Sequence, residues 1–154
     1  MAVLKLGDGN NFDITNQLDA VLSRTTYTGQ VDLAVGRIDT YTAGENLVAG
    51  NLCYMKSDSK MWKAAASAEA TTIGKLGIAL ETINAEAGGV FLLEGRYTTS
   101  GLTVGPYYVS ETGGAFATDV SGFANTSVIR PIGNAISATV LVFEPDTAFA
   151  EVGS

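Results

Sequence analysis

From Gln30 onward, apolar residues recur at every second position, the period of a strand with one buried face. Val31, Leu33 and Val35 alternate with Asp32, Ala34 and Gly36. Gly44 to Asn46 reads as a loop and Leu47 to Lys56 as the next strand. Ser57-Asp58-Ser59 has hairpin-turn chemistry, and Met61-Trp62-Lys63-Ala64 returns along the strand. A second hairpin is predicted from Val104 to Ser110, a turn at Thr112-Gly113-Gly114, and a return through Ala115-Phe116-Ala117, with glycine supplying positive φ cheaply. Ile73–Ile83 and Val128–Ile136 are apolar strands interrupted by Gly77 and Gly133. A glycine inside a strand predicts a bulge, a bend or a close backbone approach. Pro131 places its strand at an edge or a bulge. Many short strands with turn signals between them predict an all-β sandwich or barrel.

The strands also repeat. Val31–Arg37 (VDLAVGR) returns as Val90–Arg96 (VFLLEGR). Tyr54–Ala64 (YMKSDSKMWKA) returns as Tyr108–Thr118 (YVSETGGAFAT), and Leu76–Leu80 (LGIAL) as Ile132–Ile136 (IGNAI). Val140–Glu144 (VLVFE) opens a third copy. The expected organisation is a β domain over 31–145, built from a unit of about four strands at 31–83 and again at 90–137, with a third-copy strand at 140–145. Trp62 and Phe116 hold equivalent places after their turns. Ala64–Ala70 (AAASAEA) favours helix by propensity. Its counterpart, Val120–Asn125, contains Gly122, so the repeat predicts a loop or a single helical turn.

Residues 1–30 have no counterpart in the repeat and read as an N-terminal arm. Gly7 to Asn11 is dense in turn formers. Asp13 could cap a short helix whose Ile14, Leu18, Val21 and Leu22 share a face. Thr25 to Gly29 reads as a connector. Packing on its own domain and reaching a neighbouring subunit are both open to this arm. Residues 146–154 form a short acidic tail with Phe149 as its docking residue.

The chain has 154 residues, within the size of one domain, and is 46% hydrophobic but only 16% charged. That balance excludes wholesale disorder and suits a protein that covers part of its surface by assembly. Net charge is −7. Beyond Tyr97 the only basic residue is Arg130, against Glu111, Asp119, Glu144, Asp146 and Glu151. Nucleic acid is therefore not an expected partner. No stretch approaches ~18 uninterrupted apolar residues, so neither a membrane span nor a membrane partner is expected. The first residues lack the pattern of a signal peptide.

Candidate chemistry is sparse. Histidine is absent, which removes His-based nucleophilic systems and His-ligated metal sites. Cys53 is the single cysteine and reads as a small core residue. No phosphate-cradling glycine motif occurs. Asp8 and Asp13 miss the spacing of a calcium loop. Glu94 and Glu144 occupy equivalent repeat positions, and an enzyme here would need a site of carboxylates alone. No catalytic residue, metal or cofactor is expected. The copies differ in one respect: Lys56, Lys60 and Lys63 cluster on the first hairpin, where the second carries Ser110, Gly114 and Ala117. These lysines are candidates to dock an acidic partner, or to guard a sheet edge against aggregation.

The repeated phrase AGNLCYMKSDSKMWKAA…IGKLGIAL…GGVFLLEGRY, then VGPYYVSETGGAFAT…IRPIGNAI…ATVLVFEP, resembles small β-rich structural proteins of tailed bacteriophages, notably capsid decoration (cement) proteins and head or tail-fibre modules. The resemblance covers residues 30–145. It implies a non-enzymatic virion protein on the outer capsid surface, made in the host cytoplasm. It further implies a homo-oligomer, with a trimer the expected number, whose partner is the major capsid protein. The candidate capsid or partner contacts are Leu4, Leu6, Phe12, Ile14 and Leu18 in the arm, with Lys56, Lys60 and Lys63. A second reading is a tail-fibre or baseplate module that binds host surface glycan, for which Tyr41, Trp62, Tyr97 and Tyr107 would form an exposed aromatic cluster.

Overall fold

The computed structural model describes residues 3–5, 11–13, 26–27 and 34–153, with side chains from Ala34 onward. Strand β1 (Val3–Lys5) pairs antiparallel with β2 (Asn11–Asp13), and Leu4 stands opposite Phe12. Of the turn formers at 7–11, Asn11 opens β2, and the others lie outside the described residues. Asp13 closes β2. The helix expected after it, at 14–22, lies outside the described residues.

The connector expected at 25–29 is in part a strand. β3 (Thr26–Tyr27) pairs with the start of β4 (Ala34–Thr42), Thr26 opposite Val35. Threonine and tyrosine fit a pleated surface, and the open backbone of β4 offers them a ladder.

The remaining strands are β5 (Leu52–Met55), β6 (Met61–Lys63), β7 (Leu76–Ala79), β8 (Gly88–Thr98), β9 (Gly105–Val109), β10 (Phe116–Ala117), β11 (Val128–Ile129), β12 (Pro131–Ala135), β13 (Val140–Phe143) and β14 (Ala150–Glu151). The described chain is all-β. Its one helical piece is a 3-10 turn at Glu69–Thr71, held by the Thr71 and Thr72 hydroxyls on the carbonyls of Ala65 and Ala68. Both hairpin turns form where expected, with Ser59 and Gly114 at positive φ.

One sheet runs in the order β10-β9-β12-β13-β8-β7-β5-β6, with β4 alongside β8 and β3 alongside β4. β8 is the spine. Its whole length pairs with β4. On the other side Phe91 and Leu92 pair with β7, whereas residues 95–98 pair with β13. The sheet curls into a half-barrel. Its two ends meet through backbone hydrogen bonds. The Leu52 amide donates to the Gly114 carbonyl, and the Gly114 amide donates to Ala64 (2.9 and 2.8 Å). The Ala66 amide donates to Ser110, and the Val128 amide donates to Ala66 (2.8 and 2.7 Å).

Two glycines make the central crossing possible. Gly36 and Gly95 face each other on β4 and β8, at φ +150° and +136°. A Cβ on Gly36 would fall 2.1 Å from the Glu94 carbonyl oxygen, and one on Gly95 2.2 Å from that of Val35. Only a residue without a side chain fits either place. Gly133 is a close approach of the same kind, against Val142 on β13. Gly77 is not: it packs on the end of the Met61 side chain. Pro131 sits at a register shift between β12 and β9, and β12 is an inner strand, so its place is a bulge rather than an edge.

The main core fills the curl. Leu52, Ile78, Leu92, Val109, Ile132 and Phe143, drawn from both ends of the sheet, are fully buried there, with Trp62 and Phe116 packed against them. A second core lies on the outer face of β4 to β8. There Cys53, Met61, Phe91 and Leu93 are covered by Ala43, Leu47 and Ile83. Leu47 and Ile83 exchange backbone bonds of 2.8 and 3.0 Å, which fixes that cover.

Candidate functional site

The three hairpin lysines are engaged within the chain. Lys60 Nζ donates to both carboxylate oxygens of Glu86, at 2.8 and 2.7 Å, and that bond holds its pKa above the ordinary lysine value. Lys63 Nζ lies 3.9 Å from Glu45, whose carboxylate also accepts the Lys63 amide. Lys56 Nζ stands 4.4 Å from the centre of the Trp62 ring. Lys63 further borders Gly114 at the closed seam. The cluster is thus tied to two glutamates and a tryptophan of its own chain. Of the arm candidates, Leu4 and Phe12 are paired across β1 and β2, and nothing beyond their backbone is described. Leu6, Ile14 and Leu18 lie outside the described residues.

The four aromatics are dispersed. Tyr97 and Tyr107 are buried in the main core, each against Phe116 at 6.5 and 6.3 Å. Trp62 packs on Gly44 and donates through Nε1 to Asp58 at 3.1 Å. Tyr41 leans on Phe91 and bonds Asp39 and Lys75. Stacking on a sugar needs an open ring face, and two of these rings have none.

Among the described residues, no group of three or more His, Cys, Asp or Glu is placed to hold a metal ion. Cys53 is buried, and loss of solvation, then the nearby Glu45 charge, pushes its thiol up to about 12. Glu94 is exposed and pairs with Arg37 at 3.7 Å. Glu144 is exposed one residue past the Phe143–Gly95 pair. Shallow depressions occur among the described residues. One, of about 280 Å³, is lined by Ile129, Pro131, Ala148, Phe149 and Ala150. Phe149 remains 44% exposed there, so the expected docking of the tail through this ring is incomplete. Another, of about 330 Å³, lies between the first hairpin turn and Ile73.

Sequence reasoning missed a buried and heavily used polar side chain. Arg130 follows β11 and is 4% exposed. Its Nε donates to the Asp146 carbonyl at 2.7 Å; its Nη1 donates to the carbonyls of Gly74, at 2.7 Å, and Thr72. One planar fork therefore ties three chain segments, which a lysine cannot do. Burial lowers its pKa, and the nearby Asp146 charge opposes that shift. The only signal in the sequence is a lone basic residue in an otherwise acidic second half.

Sequence reasoning also missed a surface. On the outer side of β9, β12, β13, β8 and β4, strand register aligns Pro106, Asn134, Val142, Arg96 and Val35 in one row. A parallel row holds Val104, Ile136, Val140 and Thr98: Ile136 follows the Ala135–Gly105 pair and its amide donates to Val140. Val104, Ile136 and Val35 are 66%, 55% and 44% exposed. Arg96 is the sole charge in these rows. The apolar run VLVF of β13 carried the signal, since a strand apolar on both faces needs cover on both.

Comparison of the chain with known protein families, curated proteins and solved structures finds no match.

Proposed function

We propose that this protein is a non-enzymatic virion structural protein of a tailed bacteriophage, a homo-oligomer that decorates the capsid and braces it by bridging neighbouring capsid subunits. The observation that carries the reading is the order of strand pairing. One half of the sheet runs β6-β5-β7-β8 and the other β10-β9-β12-β13, each a hairpin, then a returning strand, then a spine strand. We read these as two copies of one unit, at 52–98 and 105–143 where the sequence repeat suggested 31–83 and 90–137, with β8 and β13 side by side. The motifs behind the resemblance to decoration proteins are the framework of this arrangement. Tyr54 and Tyr108 are in the outgoing hairpin strands, Trp62 and Phe116 are in the returning ones, and Gly77 and Gly133 follow in β7 and β12.

A curled sheet whose two ends are tied by backbone hydrogen bonds resists deformation, and symmetry on a lattice multiplies weak contacts into firm binding. The arm at 1–30 is the attachment element in this reading. The dispersal of the aromatics leaves the glycan-binding alternative with no observation in its favour. The test is copy number in purified particles that carry the protein, by quantitative mass spectrometry. Hundreds of copies spread over the head are expected. A handful of copies confined to the tail would overturn the assignment.

A further inference from the structure

The C-terminal segment is held differently from the body of the chain. β14 forms a small sheet of its own with β11. Both of its residues are exposed, and Phe149 before it is 44% exposed. Its hold is therefore through backbone. Next to the β11 pairing, the Val152 amide donates to the Ser127 carbonyl at 2.8 Å, and the Thr126 amide donates to the Val152 carbonyl at 3.0 Å. Up to Asp146 the chain is anchored on the body: the Asp146 amide donates to Pro131, and its carbonyl accepts from Arg130. Beyond that anchor a depression of about 280 Å³ is left among Ala148, Phe149, Ala150, Ile129 and Pro131, so the connecting stretch is loosely packed.

The ledge that receives this segment is built without it. The Val128 amide donates to Ala66 at 2.7 Å and the Ser127 amide to Ala124 at 3.0 Å. The Glu111 carboxylate accepts both the Ala124 amide, at 2.8 Å, and the Ser127 hydroxyl. Thr126 is held at φ +74°, strained for a β-branched residue, and its amide is one of those that grip the tail. A rigid edge that binds through backbone takes an extended segment from any chain that brings one of matching shape. A second copy brings the very segment that fits here. We propose that residues 147–153 are exchanged between copies of this protein, each copy seating its C-terminal strand on the 126–129 ledge of a neighbour. Fully extended, the segment reaches about 23 Å from the Asp146 anchor, at ~3.3 Å per residue. In its own chain it stands at an effective concentration on the order of millimolar. Exchange therefore takes over where copies are held equally close, as in an oligomer. The inference rests on the homo-oligomer of the proposed function and names a contact between its copies. Giving in one direction and receiving from the other closes rings as well as pairs.

The experiment uses the full chain carrying Ile129→Cys and Ala150→Cys, positions that stand opposite each other in the β11–β14 pair, within reach of a disulfide. Cys53 is buried and its thiol is raised to about 12, so it stays silent toward oxidation in the folded protein. The variant is oxidised across a concentration series up to the millimolar range and run on denaturing, non-reducing gels, with light scattering of the unaltered chain alongside. Intrachain disulfides are expected at low concentration, and covalently closed oligomers, linked chain to chain, at high concentration. Adding Val152→Pro, which removes the amide that donates to Ser127, is expected to cut the interchain species at least tenfold. Oligomers that oxidise only within each chain would overturn the exchange and leave the homo-oligomer reading standing. A chain that is monomeric at every concentration would overturn both. Interchain species indifferent to Val152→Pro would arise from chance collision of tails and overturn the exchange as well.

Discussion

Replacing Arg130 with methionine keeps the length of the side chain and removes its fork. Three carbonyls then lose their donor. The bond to the Thr72 carbonyl is buried, whereas those to Gly74 and Asp146 are partly buried. An orphaned buried acceptor costs ~1–3 kcal/mol, and a partly solvated one costs less. Relief from burying a guanidinium offsets part of the loss. The net expectation is a destabilisation of about 3 kcal/mol, a large share of the ~5–15 kcal/mol that holds a domain together. For a domain of this size it corresponds to a fall in melting temperature of ~6–12 °C. Denaturant titration should show a lower midpoint with an unchanged slope. Arg130→Lys should recover about half, because one ammonium cannot reach both the Asp146 carbonyl and the 72–74 loop. Hydrogen exchange should also quicken at the Asp146 amide, which donates to Pro131. A loss under ~1 kcal/mol for the methionine variant would refute the clamp.

Gly95→Ala should destabilise by more than ~2 kcal/mol in chemical denaturation, since a positive φ and a Val35 carbonyl both oppose a side chain; Gly101→Ala, at φ +75° in open space, should cost less, and equal costs would contradict the close-crossing argument. Cys53 should resist thiol reagents at pH 8 until the protein unfolds. Its thiol is raised from 9.0 to about 12, so unfolding releases a more acidic group. Stability present below pH 9 is then lost as pH rises toward 12, by ~4 kcal/mol at ~1.4 kcal/mol per unit, and Cys53→Ala should flatten that loss in alkaline melts. Glu111 is held below the ordinary carboxylate range by the Ser127 hydroxyl, then by the Ala124 amide. Its contribution is present above the ordinary carboxyl pKa and fades as pH falls through the lowered one, so Glu111→Gln should weaken the acid dependence of melting, and an unaltered acid limb would exclude the role.

Local chemistry made much of this fold readable. Ser57 to Ser59 and Thr112 to Gly114 announce turns because few residues accept positive φ. The 3-10 turn at Glu69 follows from comparing Ala64–Ala70 with its glycine-bearing counterpart. What stayed hidden depends on distant partners. Thr26 and Tyr27 become a strand only because β4 offers a free edge. Gly77 and Gly133 look equivalent in sequence, yet one meets a flexible methionine and the other a carbonyl. For the lysines at 56, 60 and 63 the sequence leaves open docking of an acidic partner or protection of a sheet edge, and it hides the ties to Glu45 and Glu86 because those residues are remote along the chain. Arg130 gave almost no warning, since its acceptors are backbone atoms and leave no trace in side-chain identity.

The backbone bonds that join Leu52 and Ala64 to Gly114, and Ala66 to Ser110 and Val128, have a consequence for how the protein comes into being. The first hairpin cannot complete its hydrogen bonding until chain some sixty residues downstream has been made. Long-range closure of this kind slows folding and prolongs the exposure of strand edges. A fragment ending before Gly114 would contain β4 to β9 complete and still present an unsealed rim. During synthesis the two ends of the sheet can be joined only after the hairpin of β9 and β10 is in place.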